Sequence, residues 1–428
     1  QMTMEQGRAE FGNIGNYYIL ETFFREIHRA LPRCSIETTL QISERFCADE
    51  SVKVVPMSLY YDLSNADNIS NARHELQLAE QIANGTDVQK KTPFIEAVLR
   101  ADLVVDFSGD IWGSNADLLA PDRFEVGLLK DKIVQVLGTK CCLMASSPGP
   151  FEEDFIMKAK EVLSGFDLVV NREHVSARLL ERQGFDTSNV KSAACPAFLF
   201  DEGDKGNAPI IDKLANKDRP TVGFILCGFN FEDGPHNRWP RDNTEYRKFV
   251  EAAKFIVNDL GADVCCMSHS NGFELPPLPF KQIHGSDFKH AERTHQLLCE
   301  EGLWEHVILL DGIYDPWTTK KIISKFDMLV SGRIHGAVAG FVSHVPTVVL
   351  DYGHPPIAHK LRGFTDVVGA RPFLCDPASE EDMQSKIASC WGSREVERVR
   401  LQSHLPLVQQ SVHDAFDQMA KVASSVVD

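Results

Sequence analysis

Met328-Leu329-Val330-Ser331-Gly332-Arg333-Ile334-His335-Gly336-Ala337-Val338-Ala339-Gly340 reads as three things in a row: a short apolar strand, a tight turn and a helix built from small residues. The helix runs on through Val345-Pro346 into a second apolar stretch at 347–350. Short β-branched runs without polar alternation are the mark of strands buried on both faces of a parallel sheet. Small residues let a helix backbone approach a partner closely, as phosphate sites require. Arg333 and His335 stand at the start of that helix, where an Arg can hold an anion and a His can supply a proton. A lone histidine is more often structural, but the adjoining arginine and the strand–turn–helix setting weigh towards function.

The same rhythm extends in both directions. Apolar runs at 53–57, 103–107, 141–145, 168–171, 222–226, 264–268 and 307–309 alternate with helical patterns at 17–30, 70–83, 175–183, 246–258, 289–300 and 316–325. Alternating strands and helices imply doubly wound α/β sheets. At 428 residues the chain is too long for one ordinary core. The polar stretch 201–220, with its glycines and prolines, is expected to link two domains. The expected division is therefore residues 1–205, then 206–400, with a C-terminal helix at 401–428 that packs back on the first domain. The irregular segment 229–243 follows the first strand of the second domain. Loops in that position line the ligand crevice of an open α/β sheet.

Composition narrows the function. The hydrophobic fraction of 43% with 25% charged residues is that of a globular protein. A net charge of −17 argues against non-specific nucleic-acid binding and against docking on an anionic membrane, since both need a basic footprint. An anionic small molecule is still allowed, because a few arginines can build a local positive pocket. The 11 cysteines include the doublets Cys141-Cys142 and Cys265-Cys266 but no CxxC and no zinc spacing, so they are expected to pack as small hydrophobes in a reducing, cytoplasmic compartment. No metal motif such as HExxH and no GxSxG elbow occurs. Residues 1–10 are polar and show no signal peptide, although an opening Gln leaves room for a removed leader. There is no membrane-spanning apolar run.

Three further segments could carry chemistry. Asn13-Ile14-Gly15-Asn16 opens a helix, and a glycine loop at a helix N-terminus suits an anion, although a plain Asn-capped turn fits equally. Asp106 and Asp110 occupy the turn after the strand at 103–107, where a carboxylate can orient or deprotonate a hydroxyl or simply cap the turn. Arg172 follows the strand at 168–171, placed for carboxylate or phosphate recognition or for a surface pair with Glu173.

Taken in order, these pieces resemble the polysaccharide pyruvyl transferase family. Gly12 to Asn16 is similar to its Gly-Asn-x-Gly-Asp loop, and Asp102 to Val105 with Ser108-Gly109 to its strand and glycine turn. Ser147-Pro148-Gly149-Pro150-Phe151 resembles its Gly-Pro turn, and Asp167 to Arg172 with Ser176 and Gly184 its acid-to-Arg segment. Ser331 to Gly336 resembles the Ser-x-Arg-Leu-His-Gly signature, followed by Val345-Pro346, Asp351-Tyr352-Gly353 and Lys360. The resemblance implies a glycosyltransferase-B-like fold: α/β, with two Rossmann-like domains facing a cleft. It implies transfer of a pyruvyl group from phosphoenolpyruvate to a sugar as a ketal, with no cofactor and no metal. It also implies roles: His335 as general acid, Arg333 and Arg172 on the donor's anionic groups, and Asn13, Gly15, Gly336 and Lys360 as further substrate contacts. Asp106 or Asp110 would serve the acceptor hydroxyl. The partners would then be a small-molecule donor and a glycan or sugar acceptor, with a homo-oligomer allowed. Asn16 and Asp110 replace the usual Asp and Gly, and both fall in the part expected to handle the acceptor. The alternatives are a nucleotide-sugar glycosyltransferase, with Asp351 on a ribose, and a non-catalytic binding protein of the same fold.

Overall fold

The computed structural model describes residues 10, 12–274, 281–354 and 359–425. Phe11, at the head of the glycine loop, and most of the polar N-terminal segment lie outside the described residues. So do the last three residues of the expected C-terminal helix.

The chain forms two compact α/β units that interleave in sequence. One comprises Gln1–Phe23, Ile42–Glu44 and Pro196–Gln409; the other comprises Phe24–Gln41, Arg45–Cys195 and Gln410–Asp428. These boundaries differ from the contiguous spans 1–205 and 206–400, and local contacts show why. The first turns of the helix Ile14–Ala30 carry Tyr17 and Tyr18, which pack on Trp317 and Phe200 of the first unit. Its later turns carry Phe24 against Phe46, with Arg25 paired to Glu50, in the second unit. Nor is 201–220 a linker. It lies within the first unit and contains the helix Pro209–Ala215, whose Leu214 is buried, while Glu202 pairs with Lys320. The C-terminal helix is longer than expected, Arg394–Ser424. Its end belongs with the second unit, where the Ser411 hydroxyl accepts from the Ala194 N–H and His413 meets Glu26.

The first unit is built on a six-stranded parallel sheet. Its strands in chain order are Thr221–Ile225, Asp263–Met267, Val307–Leu309, Met328–Ser331, Thr347–Leu350 and Leu374–Cys375. In space they run 3-2-1-4-5-6, all parallel. That is the Rossmann order, in which the connection reverses direction between strands 1 and 4. The central strands are buried along their whole length, as their unbroken apolar runs require. An antiparallel hairpin, Asn271–Glu274 with Lys281–His284, interrupts the alternation after the second strand.

The second unit holds a four-stranded parallel sheet, Leu103–Asp106, Lys140–Ser146, Leu168–Asn171 and Val190–Ser192 in sequential order, and a parallel pair, Ile36–Thr38 with Val52–Val54. Its core gathers Trp112, Phe124, Leu128, Leu143, Leu163, Phe166 and Val169. The cysteine doublets sit inside central strands, and burial pushes the thiols of Cys141, Cys142 and Cys266 up to about 12. They behave as apolar filling. Among the described residues no helix is long and apolar enough to cross a membrane.

Candidate active site

In the first unit the sheet's reversal point sits between Thr221–Ile225 and Met328–Ser331, so the segments leaving their carboxyl ends form the crevice. The Gly332 N–H donates to the Ile225 carbonyl at 2.7 Å, closing the turn against the neighbouring strand. Ser331 stiffens it. Its hydroxyl donates to the Arg333 carbonyl at 2.8 Å and accepts the Arg333 N–H at 3.3 Å. Asn230 ties in the fifth strand: fully buried, it accepts the Cys227 N–H at 2.9 Å and donates to the Asp351 carbonyl at 3.2 Å. A Cβ on Gly332 would stand 1.9 Å from Asn230 Oδ1, so only glycine admits this side chain.

Arg333 is the N-cap of the nine-residue helix Ile334–Val342, to which it gives no side-chain cap. Its guanidinium turns instead to the fully buried Asp287, with Nε donating to Oδ2 at 2.9 Å and Nη2 to Oδ1 at 2.6 Å. Burial works against the charge, but the Asp287 carboxylate outweighs it and holds the guanidinium pKa above its ordinary value. At the start of the helix, Arg333 and His335 are nonetheless mostly covered. The Arg333 side chain is 17% exposed and His335 only 8%. The His335 ring meets Phe364 edge-on at 5.8 Å.

The glycine loop joins this site rather than the second unit. Asn13 pairs with Ser270 in an antiparallel bridge, and the Ile14 N–H reaches the His269 carbonyl at 3.4 Å. The Asn13 side chain accepts the Gly15 N–H at 3.1 Å, which starts the helix Ile14–Ala30. Gly15 then lies directly on His335: a Cβ there would stand 2.3 Å from His335 Cβ and 2.7 Å from Nδ1. Two helix N-termini therefore meet at one point, beside Arg333. Asn16, expected on the acceptor part of the chain, belongs to this unit.

The loop at 229–243 completes the crevice. Phe229 stacks between His236 at 4.3 Å and Tyr352 at 4.6 Å, and Lys360 Nζ lies 5.8 Å from the Tyr352 ring. Arg241, its side chain buried, holds the loop's shape by donating to the carbonyls of Asp233 at 2.8 Å and Pro235 at 3.1 Å and to Glu245 at 2.9 Å. Burial lowers the His236 pKa, helped by Arg333 and His354. Asp351 ends its strand, accepts the Tyr352 N–H at 2.8 Å and has its pKa raised by burial.

In the second unit Arg172 is nearly inaccessible, at 3%. Its Nε donates to Ser147 Oγ at 2.9 Å and its Nη2 lies 3.4 Å from Asp110 Oδ1. Glu173, the partner considered for it, instead caps the helix His174–Arg182 by accepting the Ser176 N–H at 3.0 Å. Asp106 turns inwards to Ser108 and Asp131, and the Trp112 indole donates to Asp131 Oδ2 at 3.2 Å. Burial raises both carboxyl pKa values, that of Asp131 furthest because the Asp106 charge adds to it. Two buried carboxyls in contact each make the other harder to ionise. Their partners Ser108 and Trp112 line a small cavity with Tyr60 and Arg123.

The structure thus groups Asn13, Gly15, Arg333, His335 and Gly336 at one point in the first unit, with Lys360 on the Tyr352 ring. Asp106, Asp110 and Arg172 lie in the second unit. Asp287 and Asn230 were not foreseen, and Ser147 was read only as part of the Gly-Pro turn. Asp287 comes from 46 residues before Arg333 and has no local motif. Among the described residues no three His, Cys, Asp or Glu side chains gather as a metal site would need.

These features define a class: a glycosyltransferase-B-like α/β protein of two Rossmann-like units, with an Arg–His pair at a sheet's switch point. The family model for polysaccharide pyruvyl transferases matches residues 13–354, and the chain belongs to that family. No curated protein matches it. Among solved structures it is similar to a glycosyltransferase from Rickettsia africae, at TM-score 0.56 and 13% identity over 94% of this chain and 96% of that one. HepE from Anabaena in complex with UDP gives TM-score 0.56 and 12% identity over 95% and 96%. A putative UDP-N-acetylglucosamine 2-epimerase from Listeria monocytogenes gives 0.54 and 10% over 97% and 93%. At these identities the likeness is one of fold.

Proposed function

We propose that the protein transfers a pyruvyl group from phosphoenolpyruvate to two hydroxyls of a sugar, forming a ketal and releasing inorganic phosphate. The observation that carries this reading is the Arg333–His335 pair at the N-terminus of Ile334–Val342, set where the sheet order reverses. A phosphate monoester finds three complements there: helix N–H groups, an arginine and an adjacent imidazole. With Nε and Nη2 turned to Asp287, Nη1 is the part of the Arg333 fork assigned to the anion.

In this reading His335 donates a proton to the methylene carbon of the enol ester. C2 becomes electrophilic, one sugar hydroxyl adds to it, and a second displaces phosphate. The two hydroxyl protons leave on the released phosphate and the reprotonated His335, so the cycle closes without an external oxidant or cofactor. Lys360 adds positive charge on the donor side. Arg172, fixed by Ser147 and oriented by Asp110, is the second unit's candidate for holding an anionic group. Asp106 or Asp110 is assigned to orient or deprotonate an acceptor hydroxyl.

The test is phosphate release from phosphoenolpyruvate across a panel of acceptor sugars. Acceptor-dependent release is expected, falling by about 10²–10⁴-fold in His335→Ala, the range for loss of a general acid. If no acceptor stimulates release while a nucleotide sugar is consumed, the donor is wrong and glycosyl transfer takes its place. If neither is consumed, the binding-protein reading stands.

A further inference from the structure

Beneath the meeting point of the two helix N-termini lies His269, fully buried on the turn after the second strand. Its carbonyl accepts the Ile14 N–H, its ring meets Tyr18 edge-on at 5.7 Å, and its Cδ2 side lies 3.4 Å from where a Cβ on Gly336 would stand. The ring is thus wedged between the first turns of Ile14–Ala30 and Ile334–Val342. Neither ring nitrogen has a hydrogen-bond partner among the described residues. Burying an imidazole unpaired costs desolvation that an apolar side chain would not incur, and such groups in native proteins call for a reason. The groups facing it are Tyr18, Asp287 and Arg333. Burial, first, and then Arg333 push its pKa down to about 3 against the pull of Asp287 and of the residue's own backbone, so the ring is neutral and keeps one N–H to donate.

We propose that His269 is a further binding residue of this site, whose imidazole N–H donates to an oxygen of the anion held at the paired helix N-termini. Such a donor adds no charge beside Arg333 but fixes the orientation of one oxygen. The proposal deepens the donor reading and rests on it for the identity of the ester. The geometry itself asks only for an oxyanion.

The experiment uses the full chain labelled with ¹⁵N-histidine, titrated first with inorganic phosphate and then with phosphoenolpyruvate. His269 ring signals are identified by their loss in His269→Asn. The expected result is a hydrogen-bond shift of the His269 N–H on adding phosphate, with no protonation between pH 6 and 8. Calorimetry should show phosphate affinity falling about tenfold or more in His269→Phe, with part retained in His269→Asn, whose amide can still donate. Unmoved ring signals while phosphate binds, or equal affinity in His269→Phe, would overturn the proposal, as would absence of phosphate binding altogether. The spectra decide even if His269→Phe fails to fold. A phosphate response without turnover of phosphoenolpyruvate would leave His269 in place and remove the pyruvyl donor.

Discussion

Asp287 has 1% of its side chain exposed, and Arg333 meets it with two of its guanidinium nitrogens. The arginine therefore has two duties, neutralising a buried carboxylate and presenting its remaining edge to a ligand. Arg333→Ala leaves an uncompensated buried charge and should lower the unfolding free energy by roughly 3–5 kcal/mol in urea titrations. Adding Asp287→Asn should recover part of that loss, and simple additivity of the two changes would argue against the pairing. Activity lost in Arg333→Ala must therefore be compared with the double variant before it is assigned to substrate binding. At this scale the sequence exposed one side of the pair only. Arg333 stood out because its own neighbours form a strand, a turn and a helix. Asp287 sits after a hairpin, and nothing within a few residues of it marks it as an ion-pair partner.

Short, largely apolar strands were legible to the residue: Leu168–Asn171, Met328–Ser331 and Thr347–Leu350 inside their sheets, and Val307–Leu309 at an edge. The short, largely exposed Val190–Ser192 was not, because an edge strand with one half-buried residue leaves no apolar pattern. Nor was the helix Arg123–Val136, which buries Glu125, Lys130 and Asp131 alongside its apolar residues, so that its polar and apolar faces blur. The contact between elements that matters most for the site is Gly15 on His335. Gly15→Ala would drive a methyl group into the His335 Cβ, which cannot swing aside as a side-chain tip can. About 1–3 kcal/mol of destabilisation is expected from the overpacking, together with a raised KM for phosphoenolpyruvate as the two helix ends are forced apart. A variant with wild-type stability and unchanged KM would show that these helix ends do not need to touch.

Across the whole molecule, pH-dependent stability follows from buried groups rather than from the net charge. Asp131 has its folded pKa well above its unfolded value, through burial and the nearby Asp106. The stability it contributes is complete below the unfolded value of about 4 and is lost as pH rises through the folded one. Asp131→Asn keeps an acceptor for the Trp112 indole and removes that penalty. It should match wild type near pH 4 and exceed it by on the order of 1–2 kcal/mol near pH 8, read as the difference in thermal midpoint between the two conditions. An equal offset at both values would mean that Asp131 is ionised throughout. What the sequence determined by itself was the α/β class, the central strands and the Arg333–His335 turn, because each depends on residues adjacent in the chain. Tertiary structure alone decided the 3-2-1-4-5-6 strand order, the transfer of Asn13 and Gly15 to the unit that holds His335, and the meeting of Asp287 and His269 with Arg333. Those outcomes depend on which buried surfaces pack together. That choice is made by shape and burial over the whole fold and leaves no local pattern to read.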